Sequence, residues 1–160
     1  MKYMLATTLV VATLGIPALA AGDAAVEHHT LTGSAAVKWG APPPVLPAGA
    51  KFAVIDGDPA AAGPVTIRVQ MPAGYKIAPH WHPSDEHVTV LAGSIALGMG
   101  DTPDPAHMTT LRAGGYVVAP AKMHHYAASK NGATIQIHLM GPFGITYVNP
   151  ADDPSHVATK

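Results

Sequence analysis

Short apolar runs separated by turn residues dominate the chain from about residue 51 to residue 140. Glycine and proline contribute 16 residues each to a chain of 160. Because both residue types interrupt helices and favour tight turns, long helices and coiled coils are excluded over this region. The pattern predicts an all-β fold, an antiparallel sandwich or barrel of about eight or more strands. The predicted strands lie in segments 51–55, 65–71, 76–82, 86–91, 95–99, 109–111, 116–118, 124–128 and 133–140.

The composition indicates one domain and excludes several functions. A chain of 160 residues that is 48% hydrophobic and 12% charged can bury a single core. The formal net charge is −1 and no cluster of lysine and arginine is present, which argues against a nucleic-acid partner. Cysteine is absent, so disulfides, thiol catalysis and thiolate metal sites are excluded. Any metal ligands must be nitrogen or oxygen atoms.

The first 20 residues have the layout of a secretory signal peptide. Lys2 precedes an apolar run over residues 4–14, and Ala18 and Ala20 supply the small residues that a signal peptidase requires. The run is shorter than the ~20 residues that span a bilayer, which favours cleavage over a retained anchor. We predict a periplasmic or secreted protein, without membrane association after cleavage. Its segments are a signal peptide at 1–20, a flexible lead-in at 21–36, a barrel at 37–150 and a C-terminal tail at 151–160.

Histidines are the main candidates for chemistry, because the chain has 10 of them. His80 and His82 are two residues apart on a predicted strand, so their side chains point to the same side of the sheet. A turn follows, and Glu86 at the start of the next strand can place its carboxylate beside them. His125 follows a later turn and is the candidate fourth ligand, with the neighbouring His124 as its competitor.

These residues resemble the two sequence motifs of the cupin superfamily. In the second motif Lys122 replaces a glycine and Ser129 replaces an asparagine, while the spacing favours His125 over His124 as the ligand. The resemblance implies a single-domain antiparallel β-barrel of the cupin or jelly-roll type, with one metal ion bound by His80, His82, Glu86 and His125. The matching positions are Gly74, His80, His82, Glu86 and Gly93 in the first motif and Gly114, Pro120 and His125 in the second.

Three imidazoles and one carboxylate suit a divalent transition metal, and the ligand types leave Fe, Mn, Cu, Ni and Zn open. We predict a metal-dependent enzyme that acts on a small organic molecule, with oxygenase-type chemistry favoured over hydrolysis or isomerisation. The alternative is a non-catalytic periplasmic protein that binds or senses a ligand, because cupin domains of certain anti-sigma factors resemble this site. A purely structural metal site is a third hypothesis.

Four further residues are candidates for the pocket or for contacts to the metal ligands. Gln136 and His138 share one face of a predicted strand, which either lines the funnel or forms the wetted outer face. Tyr116 and Met99 are predicted wall residues. Because cupins commonly pair through outer sheets and N-terminal arms, we also predict a homodimer, with the arm that carries Trp39 at the interface.

Overall fold

A computed structural model describes residues 33–156, and these residues form nine β-strands with four short 3-10 turns. The all-β prediction is confirmed. The predicted signal peptide and most of the predicted lead-in lie outside the described residues. The strands are β1 Lys51–Asp56, β2 Gly63–Met71, β3 Tyr75–Trp81, β4 Glu86–Met99, β5 Thr109–Arg112, β6 Tyr116–Ala119, β7 His125–Ser129, β8 Ala133–Gly141 and β9 Thr146–Tyr147. The 3-10 turns are Ser34–Ala36, Pro105–His107, Pro150–Asp152 and Pro154–His156.

The strands form two facing layers that share β4. One layer has the order β1-β2-β8-β4-β6 and the other β5-β4-β7-β3-β9, and every pairing is antiparallel. Two segments that the sequence separates, 86–91 and 95–99, are one long strand, with a register shift between Val90 and Ala92 in its pairing with β8. A strand that bends at this irregularity can contribute to both layers. The layers therefore meet along a crease at the middle of β4.

Glycines with positive φ mark the crease. Gly93 has φ 70°, and a Cβ at this position would overlap the carbonyl oxygen of Gly132 on the neighbouring chain segment. Only glycine combines this conformation with such a close approach. Three of the connections between the layers also carry a glycine of positive φ, namely Gly74 between β2 and β3, Gly114 between β5 and β6, and Gly132 between β7 and β8.

The core lies between the two layers, and strand alternation fills it. Along β2 the side chains of Val65, Ile67, Val69 and Met71 are buried. On the paired strand β8 the buried positions are again every second residue, which is the period of a strand with one face inward. No helix among residues 33–156 is long and apolar enough to cross a membrane.

An N-terminal arm closes one side of the interior. Leu46 is buried in the core, and its neighbours are tied to the barrel by two tyrosines. The Tyr75 hydroxyl donates to the carbonyl of Pro47 at 2.6 Å, and the Tyr147 hydroxyl donates to the carbonyl of Val45 at 2.8 Å. Burial raises the pKa of Tyr75 to about 12, so its hydroxyl stays a donor over the ordinary pH range.

Candidate metal centre

Three histidines and one glutamate meet in the interior, at the end of the strands that lies farthest from the crease. His80, His82 and His125 are 3%, 4% and 2% exposed, and Glu86 is 7% exposed. The candidate ligand nitrogens of the three histidines lie within 4.8 Å of one another. The Glu86 Oε2 atom is 3.5 Å from His82 Nε2 and 3.6 Å from His125 Nε2. The structure thus brings together all four residues that the sequence proposes as ligands.

Strand pairing positions these side chains. His80 lies directly opposite His125 across β3 and β7, so their rings face the same side with centroids 4.3 Å apart. His82 follows the last residue of β3, and Glu86 is the first residue of β4 after a short turn. Alternation keeps Trp81 on the other side of the strand from its two histidine neighbours, as the spacing predicts.

A backbone carbonyl holds each of the three rings. His80 Nδ1 donates to Ala78 at 2.8 Å, His82 Nδ1 to Gly144 at 2.7 Å, and His125 Nδ1 to Met123 at 3.0 Å. Because a carbonyl only accepts, each Nδ1 carries the proton and each Nε2 keeps a free lone pair. The fixed tautomer and orientation are those that metal-bound histidines adopt.

The donor set fits a transition metal ion. The Nε2 atom of His82 is buried and has no hydrogen-bond partner, which is costly unless another group binds its lone pair. Ligand atoms about 2.0–2.2 Å from one ion lie about 3.0–3.6 Å apart when they are adjacent, and the two distances from Glu86 fall at the upper end of this range. The cluster is therefore compatible with one transition metal ion.

Burial and mutual charge set the protonation of the cluster. Burial, with the positive charges that His125 and His82 can carry, lowers the pKa of His80 to about 3, so this ring is neutral. Burial alone would raise the pKa of Glu86, but the charge that His82 can carry and the contact with His125 hold this pKa below its usual value. Burial opposes protonation of His125, whereas its contact with Glu86 raises its pKa above the ordinary value. An ionised carboxylate beside imidazoles matches the charge that a divalent cation needs.

The two departures from the second cupin motif keep the local geometry. Lys122 has φ 63°, the left-handed conformation that a glycine adopts easily, and its N–H donates to the carbonyl of His82 at 2.9 Å. Ser129 is buried and donates to the carbonyl of Ser94 at 3.0 Å. His124 lies away from the cluster, with its Nδ1 2.6 Å from Asp101 Oδ1.

The cavity beside the four candidate ligands is small and apolar. Its volume is about 40 Å³, enough for an ion with one or two waters but far below the size of a drug-sized ligand site. Apart from His80, His82, Glu86 and His125, every described residue that lines it is apolar. These are Leu46, Val69, Met71, Ile77, Val88, Ile95, Leu97, Ala127, Ile135, Ile137, Phe143 and Ile145.

The structure places the four predicted pocket residues away from this cavity. Gln136 and His138 lie on the outer face of β8, where His138 is bonded to Thr66 and Gln136 accepts from Arg68 Nε. Of the two interpretations of that strand, the wetted outer face is therefore the one that the structure supports. The two predicted wall residues, Tyr116 and Met99, are 55% and 51% exposed and line a neighbouring cleft.

The sequence indicates no chemical role for the closing segment, 141–150, yet this segment contacts the cluster. Gly144 supplies the carbonyl that holds His82, and the ring of Phe143 stacks on His82 with centroids 6.0 Å apart. On β9, Tyr147 pairs with His80 in the sheet. Any residue type can supply a backbone carbonyl, so the sequence does not reveal this hydrogen bond. The sequence signal for the contact is the aromatic Phe143, which follows the last long strand.

Comparisons with known proteins agree with this architecture. A search of curated proteins found no match. Among solved structures, a polyketide cyclase, RemF from Streptomyces resistomycificus, superposes with a TM-score of 0.64 at 17% identity, over 79% of this chain and 90% of that one. A putative acetylacetone dioxygenase from Methylibium petroleiphilum gives 0.60 at 20% identity, over 79% and 85%. An RmlC-like cupin from Shewanella frigidimarina gives 0.53 at 12% identity, over 68% and 87%.

These similarities establish the fold alone, because the identities are low. The family assignment comes from the sequence, where the model of the ChrR cupin-like domain matches residues 27–143. That range includes both motifs and all four candidate ligands, and it covers more than half of the chain. The protein belongs to the ChrR cupin-like domain family and so to the cupin superfamily.

Proposed function

We propose that the protein binds one divalent transition metal ion through His80, His82, Glu86 and His125 and uses it to transform a small organic molecule. The observation that carries this proposal is the set of three buried imidazoles, each held through Nδ1, whose ligand atoms lie within 4.8 Å of one another, with the Glu86 carboxylate beside His82 and His125. Two of the structural neighbours bear enzyme names, which supports a catalytic role.

Within this proposal, oxygenase-type chemistry is favoured over hydrolysis or isomerisation. A redox-active iron, copper or manganese ion would supply electron transfer and a coordination position for the substrate. Hydrolysis and isomerisation need a proton acceptor or donor near the substrate. Glu86 and the histidines are committed as ligands, and the remaining described residues that line the cavity are apolar. The chain's own groups thus hold and orient the ion and exclude water, and the cavity offers no spare acid or base.

The first test is elemental analysis of protein purified without nickel resin. We expect about one metal ion per chain, lost in His82→Ala and in His125→Ala, because each removes one of four ligands. His124→Ala is the matched control, since His124 is the next residue along the chain but is bonded to Asp101 instead. Retention of metal in His125→Ala, or no metal in wild-type protein after reconstitution, would contradict the proposal.

The identity of the metal then directs the search for the reaction. Iron, manganese or copper calls for measurement of oxygen uptake with small neutral diketones and phenols. Zinc would shift the proposal to hydrolysis or isomerisation. Turnover that depends on both the metal and oxygen supports the oxygenase, and its absence with every redox-active metal argues against it.

The small cavity favours a second candidate, a protein that binds or senses a ligand without transforming it. A space of about 40 Å³ admits one or two waters or a diatomic molecule beside an ion. Metal binding without turnover, combined with a change in stability on exposure to such a ligand, would support this alternative.

We also propose that the protein is exported to the periplasm or secreted, and that it forms a homodimer. Export rests on the layout of residues 1–20, and N-terminal sequencing of the protein from the culture fluid or the periplasm would test it. The proposal of a homodimer rests on the fact that cupins commonly pair through their outer sheets and N-terminal arms. Light scattering that finds only monomer at micromolar concentration would refute it.

A further inference from the structure

The small interior cavity is sealed on most of its sides. At the crease the chain segments of Gly93 and Gly132 touch, and on another side the N-terminal arm inserts Leu46 into the core. Hydrogen bonds cross the end of the barrel nearest the cluster. They join Lys122 N to the His82 carbonyl at 2.9 Å, Ser84 Oγ to the Met140 carbonyl at 2.7 Å, and Phe143 N to the Pro59 carbonyl at 2.8 Å.

Two larger clefts adjoin the cavity. One, of about 570 Å³, shares Ile77 and Ala127 with the cavity and has Lys76 in its lining. The other, of about 690 Å³, lies between β5 and β6, beside the end of β4 and the loop that carries Asp104 and His107. That volume falls within the range of small-molecule sites, about 300–1,000 Å³. Apolar side chains of Leu97, Met99, Leu111 and Val117 form part of its lining. Polar groups from the neighbouring loop and strands complete it, a combination that suits an organic ligand.

The cleft between β5 and β6 shares a wall with the small cavity. Among the described residues, Leu97 alone lines both spaces. Strand pairing also brings the two spaces together. Ile95 and Val88, which line the cavity, are paired with Leu111 and Val117, which line the cleft. Met99, which lines the cleft, is paired across the sheet with His125. The cleft therefore adjoins the barrel interior, and Leu97 forms part of the wall between the two spaces.

The charge of the two spaces limits what can bind. No lysine or arginine among the described residues lines either one. The cleft carries Asp104, whose carboxylate is 2.7 Å from His107 Nδ1, and the cavity carries Glu86. An anionic ligand would find no permanent cation from the chain in the cleft and would meet a carboxylate there, which is unfavourable in a partly apolar site.

We propose that this cleft binds the body of the substrate, that the substrate is a neutral molecule with an apolar ring or chain, and that Leu97 controls its access to the metal. The inference rests on the proposed function, because it gives that metal centre its substrate class and its entrance. A change of Leu97 rotamer would join the two spaces, and side chains that are not fully buried change rotamer readily.

The test uses ligand-observed NMR with 4-methylphenol as a neutral probe and 4-methylbenzoate as an anionic probe of similar size. In metal-free protein we expect 4-methylphenol to bind at least about tenfold more tightly than 4-methylbenzoate. Thr109→Trp, which fills the cleft at an exposed position, should abolish that binding. Equal binding of the two probes, or unchanged binding in Thr109→Trp, would overturn the proposal whether or not the protein binds metal.

The role of Leu97 is tested in protein loaded with Mn²⁺, which broadens the signals of a nearby probe. Leu97→Ala should increase the broadening of 4-methylphenol, and Leu97→Trp should remove it while the manganese content stays the same. Leu139→Ala is the matched control for general loosening, because Leu139 is a core leucine that lines neither space. Broadening that is the same in wild type and in both Leu97 variants would refute the gate. Failure to load manganese in wild type would instead count against the proposed function.

Discussion

Replacing Gly93 with alanine tests whether the crease holds the two layers in register. Alanine at φ 70° costs about 1–2 kcal/mol, because its Cβ approaches the neighbouring carbonyl in the left-handed region. The added Cβ would also overlap the carbonyl oxygen of Gly132 and lie 3.0 Å from Ala133 Cα. Both obstacles are backbone, so relief requires a shift of two chain segments, at a further cost of about 1–3 kcal/mol. We expect the free energy of unfolding to fall by about 2–5 kcal/mol in total.

Gly74→Ala is the matched control, because Gly74 lies at the same crease with φ 79° but has no atom within 4 Å of an added Cβ. The free energy of unfolding of this variant should fall only by the conformational cost, about 1–2 kcal/mol. Urea denaturation of both metal-free variants measures the difference. With a slope of about 1–3 kcal/mol per molar urea, a gap of about 2 kcal/mol separates the midpoints by about 1 M. Equal midpoints for the two variants would refute the argument that close approach at Gly93 fixes the crease.

Three further predictions concern the site and its surroundings. Lys122→Gly should raise the free energy of unfolding by about 1 kcal/mol, measured by urea denaturation, because it relieves a left-handed residue; a loss of stability would contradict this. His80 has a folded pKa of about 3 against an unfolded value near 6.5, so the unfolded state binds more protons between these values. The free energy of unfolding of metal-free protein should therefore fall by up to about 2 kcal/mol as the pH falls from about 6.5 to about 5. His80→Gln should reduce this dependence on pH, and an unchanged dependence would show that another group is responsible. Gly98→Ala should displace the Tyr126 ring, which would overlap the new Cβ, and so speed proteolysis of the 101–108 loop that this ring anchors at Asp104; an unchanged cleavage rate would contradict it.

The features that the sequence predicts are those encoded in local spacing. Alternation places His80 and His82 together, and the structure agrees because both side chains are buried while Trp81 between them is not. The sequence does not reveal the register shift in β3 between Ile77 and His80. Turn glycines and prolines mark most strand boundaries, so the strands β1 to β8 lie close to the predicted segments, two of which are joined in β4. Alternation along the strand allows only one of His124 and His125 to face inward, but it does not indicate which one. The spacing of the cupin motif is what favours His125.

Features that depend on distant segments could not be predicted. The outward position of Gln136 and His138 follows from which face of β8 meets the other layer, and an alternating strand does not reveal that. The contact of Gly144 with His82 joins residues 62 positions apart through a backbone carbonyl. The continuity of β4 past Gly93 was also missed, because a glycine inside an apolar run is as compatible with a turn as with a bent strand.

The location of the cleft explains why the two cupin motifs predict a metal site but not a reaction. The four candidate ligands lie within the motifs, which span residues 74–93 and 114–129. Most described residues of the cleft lie between the motifs, on the last part of β4, the following loop and β5. Substitutions there alter the wall that a substrate meets without moving a ligand, since the ligands are held by β3, β4, β7 and backbone carbonyls. Proteins with the same four ligands can therefore differ in substrate, and the segment from Leu97 to Leu111 is where we expect this chain's specificity to be set.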